Sequence, residues 1–168
     1  TTVVYGLDAD LIMLTLNHLH IAPSMFLFRE TPHFIKSLDS SLKPDATYLL
    51  DIPEFGKALA LDLNDGVEPT TKQMKGRIFD YILICFFLGN DFLPHFPALN
   101  IRTSGIDSLM DAYRSTIGGT NENLVVGTKI IWKNLRKMLQ HLAKDEEILF
   151  KEEHNRRIKM ARGVSRRQ

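Results

Sequence analysis

The chain has a single cysteine, Cys85, set in the run YILICFFLG. Without a second thiol no disulfide can form within the chain, and a reducing intracellular setting, cytoplasmic or nuclear, is the expectation. Cys85 itself reads as a small buried hydrophobe with no reactive role. Long apolar runs are also missing. The longest, Tyr81 to Leu88, is much shorter than the ~18 residues of a membrane-crossing helix, so no membrane partner is expected. No internal repeat or low-complexity segment is found, which removes solenoids, collagen-like polymers and disordered linkers. The opening Thr1-Thr2 has no methionine and no charged stretch ahead of an apolar one; the expectation is a cut through a longer polypeptide, without a signal peptide. An excess of one charge is absent from the whole, at +1, but not from its parts: residues 151 to 168 carry +5, leaving −4 on the rest. That basic tail reads either as a contact for a polyanion or as a solvated, frayed helix end.

What is present suffices for one domain over residues 1–168, since 44% of the residues are apolar; residues 144–168 form its charged helical tail. TVVYGL at 2–7 is β-branched and aromatic and reads as a short buried strand, followed by a helix over 11–19. Further strands are expected at 24–30 and 47–52, joined by a polar, proline-bearing connection. Pro53 then opens a helix ending near Asn64, Asp65 and Gly66, and a long helix is expected from Thr70 to Leu88, entered through Thr70 or Thr71 and stopped by Gly89. The second half of that long helix is apolar all round and reads as buried. After the proline-broken turn NDFLPHFPALN come a helix over SGIDSLMDAYRSTI, a loop over GTNENLVVGT, and one last helix from about Ile130 to beyond Lys159. The fold class is therefore α/β, with strands in the N-terminal part and mostly helices behind them.

Two acids, Asp8 and Asp10, close the first strand in VYGLDADLIML. In an extended strand, residues two apart point the same way with Cα atoms ~6.5–7 Å apart, so both carboxylates can aim at one point. Open α/β sheets place ligand sites beyond the carboxyl ends of their strands, which is where this pair falls. Like charges this close are costly without a cation or donors. The competing reading makes Asp10 a helix cap and Asp8 a turn residue, and spacing alone does not choose. Asp91 follows the long helix, where the helix dipole disfavours an acid; a plain turn aspartate is the alternative. Three carboxylates at the ends of two elements suit a hard cation, Mg²⁺ best, with waters and a substrate phosphate in its other positions.

Other residues carry less. His95, between prolines, reads as structural; Asp51 is an optional extension of the acidic cluster; Arg29 and Glu30 read as an ion pair or as partners of a neighbour. Trp132 has an indole able to stack a nucleobase, but its register with Leu135 and Leu139 on a helix reads as core.

Taken in order, VYGLDADLIMLTL, FLFRE, YLLDI, FDYILICFFLGNDFLPHFPALNI and GIDSLMDAYR closely resemble the second half of the first catalytic region of the 5′→3′ exoribonucleases of the Xrn family. The resemblance covers residues 3 to about 115, with GLDADLIML and GNDFLPHFP as its most specific parts, and is loose over the last third. It implies a PIN-like nuclease fold of the flap-endonuclease kind, a parallel sheet covered by helices. It further implies that Asp8, Asp10 and Asp91 are catalytic metal ligands for Mg²⁺, with Mn²⁺ as substitute, and that the substrate is 5′-monophosphorylated single-stranded RNA. Hydrolysis would then use two ions ~3.5–4 Å apart. The family's remaining acidic ligands, its 5′-phosphate pocket and its base-stacking aromatic match no residue of this chain. A fragment that is inactive alone and works with the remainder of the exoribonuclease chain is the resulting expectation.

Two rivals stand beside it. A phosphatase of the haloacid dehalogenase type shares the LDADL spacing, but Leu11 and Ile12 occupy the places of its usual Gly-Thr pair. A non-catalytic RNA-binding or scaffolding segment is the other.

Overall fold

β-Branched and aromatic residues at the start form strand β1 (Thr2–Tyr5), and the chain crosses over through helix α1 (Asp10–Asn17) into strand β2 (Met25–Phe28). The computed structural model describes residues 1–31, 35–96, 99, 105–144 and 146–165. Among these, the chain divides into two compact units, Thr1–Leu59 and Ala60–Gln168.

In the first unit β1 pairs parallel with β2, Thr2 opposite Met25 and Tyr5 opposite Phe28. A short helix α2 (Ile35–Leu38) lies in the connection to strand β3 (Leu49–Asp51), which runs antiparallel to β2 with Phe26 opposite Asp51. The sheet is thus mixed, in the order β1-β2-β3, where the family resemblance implies a parallel one. The β1–β2 crossover is carried by the eight-residue α1, whereas the β2–β3 connection has, among the described residues, only the four-residue α2. The strand β1, expected to be buried, is largely exposed, with Val3 and Tyr5 at 54% and 61%. Its place at the sheet edge explains this; β2 is the inner strand, and its Met25 and Leu27 are buried. Helix α3 (Ile52–Leu63) follows at once, with the Asp51 carboxylate accepting from the Glu54 N–H at 3.1 Å. Asp51 therefore caps a helix.

The second unit is helical. Asp65 and Gly66, both with positive φ, end α3 as the sequence predicts, and the Gly66 N–H donates back to the Leu61 carbonyl. Helix α4 (Thr71–Phe86) starts in a capping box: the Thr70 hydroxyl accepts from the Gln73 N–H while the Gln73 side chain accepts from the Thr70 N–H. Helix α5 (Gly105–Thr116) buries Leu109, Ala112, Tyr113 and Thr116 along one stripe; Ser104, the first residue of the expected helix, lies outside the described residues. The predicted loop behind it contains a hairpin, β4 (Val125–Val126) and β5 (Lys129–Ile130), turned at Gly127 with φ of 61°. The predicted last helix is two, α6 (Trp132–Leu142) and α7 (Glu146–Ser165). Glu146 and Glu147 occupy the first turn of α7, where the dipole favours acids at a new start. Arg166 and Arg167 of the basic tail lie outside the described residues.

The core of this unit holds charge. Arg77 and Asp80, one turn apart on α4, are both fully buried. The Arg77 guanidinium donates to Asn64 Oδ1 at 3.1 Å, to the Tyr113 hydroxyl at 2.8 Å and to the Glu122, Thr120 and Ile117 carbonyls. Asp80 accepts from the Tyr113 hydroxyl, from Asn123 Nδ2 at 3.1 Å, and from the Leu124 and Val125 N–H groups at 2.9 and 2.8 Å. Arg77 and Asp80 approach to 4.0 Å. Their partners tie the 117–125 segment to α4. The expectation of an all-apolar buried second half of α4 is met only in part: Ile84 and Cys85 are buried, but Phe86 is 44% exposed and the charged Asp80 is buried as fully as Ile84.

Candidate metal centre

Strand β1 stops at Tyr5, so Asp8 and Asp10 do not share the face of a strand. The Asp8 carboxylate accepts from the Asp10 N–H at 3.1 Å, a turn that leads directly into α1. Ala9 is the capping residue, with no side-chain bond, and Asp10 is the first helical residue. An acid there is favoured by the helix dipole. The two acids thus have local structural reasons to be where they are, in a turn rather than on a strand pleat. Asp8 is exposed and Asp10 half-buried. Both remain at the carboxyl end of β1, the edge at which α/β sheets receive ligands.

Asp91 belongs to the second unit. Helix α4 ends at Phe86 with Phe87 as its cap, so Asp91 stands past the final turn, beyond the reach of the dipole. The predicted electrostatic penalty at this position is therefore absent. What fixes Asp91 is the loop around it: Asn90 Oδ1 accepts from the Phe92 and Leu93 N–H groups, each at 2.9 Å, and the Asn90 N–H donates to the Leu93 carbonyl at 2.9 Å. Gly89 has a φ of 80°, and a Cβ there would lie 2.6 Å from the His95 nitrogen, so only glycine permits this return. Asp91 is exposed, and Phe92 beside it is 92% exposed. His95 keeps one ring nitrogen 2.8 Å from the Phe96 carbonyl, a local structural contact.

Carboxylate oxygens are suitable donors for Mg²⁺, and the candidates are two carboxylates, Asp8 and Asp10, in the first unit and one, Asp91, in the second. Within neither unit do three His, Cys, Asp or Glu side chains gather into a group able to hold a metal ion, among the described residues.

Trp132, expected in the core, is 70% exposed at the start of α6, because Asn134, Leu135 and Met138 are the residues that this helix buries. No described helix is long and apolar enough to cross a membrane.

The family model of the Xrn1 helical domain matches residues 72–168, so the last third, where the motifs are only loosely similar, lies inside a recognised family segment. The 5′-3′ exoribonuclease 2 of Aspergillus oryzae is 32% identical over 180 residues, covering 89% of this chain and 17% of its own length. The 5′-3′ exoribonuclease 2 of Eremothecium gossypii is 28% identical over 188 residues, 100% of this chain and 20% of that protein. The Arabidopsis thaliana protein of the same name is 27% identical over 175 residues, 88% of this chain and 17% of its own length. The chain thus spans 17–20% of the curated relatives it matches. On this similarity, which reaches across both units, the chain belongs to the Xrn family of 5′-3′ exoribonucleases.

Proposed function

We propose that this chain is part of a metal-dependent 5′→3′ exoribonuclease that hydrolyses the phosphodiester bonds of 5′-monophosphorylated RNA, and that it is inactive by itself. The full sheet of such an enzyme would be of the PIN-like type, to which β1, α1 and β2 contribute one parallel crossover. The observation that carries the reading is the Asp8 turn, which presents an exposed carboxylate at the carboxyl end of β1, directly ahead of α1, in a chain of this family.

Asp8 and Asp10 would hold one Mg²⁺ and Asp91 would complete a second site, with Mn²⁺ able to substitute. Bound there, the metal supplies a lowered pKa for an attacking water and neutralises charge at the leaving oxygen. The chain's own part is placement. The Asp10 N–H fixes one oxygen of Asp8 and leaves its other oxygen for a ligand. The Asn90 side chain and Gly89 set the backbone that carries Asp91. No side chain need take a proton from water.

The experiment is Asp91→Asn in the full-length enzyme, assayed on 5′-monophosphorylated RNA. Turnover should fall by orders of magnitude while RNA binding stays largely intact; unchanged turnover would remove Asp91 from the site and leave a scaffold as the better description.

A further inference from the structure

The two sides of α6 differ in chemistry. Asn134, Leu135 and Met138 are buried. On the other side Trp132 is 70% exposed, and Lys133, Arg136, Lys137 and Gln140 are exposed with it. Spacing of four residues sets Trp132, Arg136 and Gln140 in one row along the helix. Together with Leu135, Leu139 and Ala143 they line an open hollow of about 500 Å³. Charge in this part of the chain has one sign: from Asn123 to Lys144 there are five bases and no acid. Lys137 reaches Glu122 at 3.8 Å. Lys133 and Arg136 have no ion-pair partner among the described residues.

Trp132 also stands on a fixed base. The Ile131 N–H donates to the Leu124 carbonyl at 2.8 Å, and Asn134 Nδ2 donates to the Asn123 carbonyl at 2.8 Å. Those two residues are in turn bonded to the buried Asp80.

We propose that this face of α6 is a binding site for single-stranded nucleic acid, with Trp132 stacked on a base and Lys133 and Arg136 on the flanking phosphates. A one-signed row of bases selects a polyanion. An exposed indole on this hydrogen-bonded helix start selects a polyanion with flat rings, and a duplex hides the faces of its rings whereas a single strand offers them. The site needs no metal and none of Asp8, Asp10 and Asp91, so it goes beyond the catalytic reading and fails or holds separately from it.

Trp132 is the sole tryptophan of the chain, so its fluorescence reports on this site alone. The chain is titrated with short oligo(A) RNA in EDTA, with base-free polyphosphate as the control. Saturable quenching by RNA and none by polyphosphate is expected. With a labelled oligonucleotide, Trp132→Ala should weaken binding roughly 5- to 150-fold and Trp132→Phe much less. Arg136→Glu should flatten the plot of log affinity against log salt by about 0.7 for each phosphate that is no longer neutralised. Because Trp132 is exposed, its replacement should leave the circular dichroism unchanged, which separates a binding loss from misfolding. RNA binding without quenching, equal quenching by polyphosphate, or no binding overturns the proposal. So does a full-length enzyme in which Trp132→Ala lowers the melting temperature but not RNA affinity, for then protein covers this face.

Discussion

Replacing Arg77 with methionine tests whether the buried ion organises the second unit. Methionine keeps much of the length and packing of the stem but removes every donor. Asn64 Oδ1, the Tyr113 hydroxyl oxygen and the carbonyls of Ile117, Thr120 and Glu122 would lose their partner in a site from which water is excluded, and Asp80 would lose the cation 4.0 Å away. A buried acceptor stripped of its donor costs about 1–3 kcal/mol. Partial opening of the 117–125 segment to water limits the sum, so the cost should fall at the ~3–5 kcal/mol typical of breaking a buried pair. With a urea m-value of ~2 kcal/mol/M, the unfolding midpoint should drop by roughly 1.5–2.5 M, read by far-ultraviolet circular dichroism. Acid supplies a second check: once Asp80 is protonated it no longer needs a cation, so the deficit of the variant should shrink toward pH 4. A midpoint shift under roughly 0.5 M, or one that does not respond to acid, would refute the assignment of Arg77 as the organising group.

Burial pushes the Asp80 carboxyl above the ordinary carboxylate range, against the opposing pull of its hydrogen bonds from Tyr113, Leu124, Val125 and Asn123. The folded state therefore holds a proton that the unfolded state has released above ~3.9, so this group's contribution is full below that pH and lost as pH rises through the folded value. A carbon-13 titration of the Asp80 carboxyl in the folded chain should give a midpoint above that of a model aspartate; a lower one would contradict the sign. A Cβ at Gly118 would sit 2.8 Å from Arg114 Cα, the Arg114 carbonyl and the Leu63 carbonyl, all backbone, whereas Gly119 with φ of 69° has open space around it. Gly118→Ala should therefore cost about 2–3 kcal/mol and Gly119→Ala about 1 kcal/mol, and thermal melts in the reverse order would count against this packing.

Elements whose signals are local were legible in the sequence. Thr70 or Thr71 was the expected entry to α4, and Asp65-Gly66 the expected end of α3, and both fell there because caps are made by neighbours. The strands fell where β-branched and aromatic residues cluster, but their direction did not follow, since strand composition does not say how the connection returns the chain. Arg77 and Asp80 carried no signal in the sequence because their partners lie far along the chain: Tyr113 is 36 residues from Arg77 and Val125 is 45 from Asp80. Of the candidate site, the identities Asp8, Asp10 and Asp91 were visible from the motif. The means of holding them was not, because an aspartate two residues before a helix looks alike whether it ends a strand or bends into a turn. Trp132 was placed on the wrong side of α6 because Leu139 was counted as core, while the residues that set the buried side include the polar Asn134.

The hairpin between α5 and α6 has a mechanical consequence. Its first strand hangs on Asp80, and the backbone on either side of that attachment hands on two bonds to the opening turn of α6. An interior carboxylate thereby sets the pitch and roll of a surface rod whose outermost feature is an indole. Tuning what that rod presents calls for an edit in the interior, where no survey of solvent-facing positions would look.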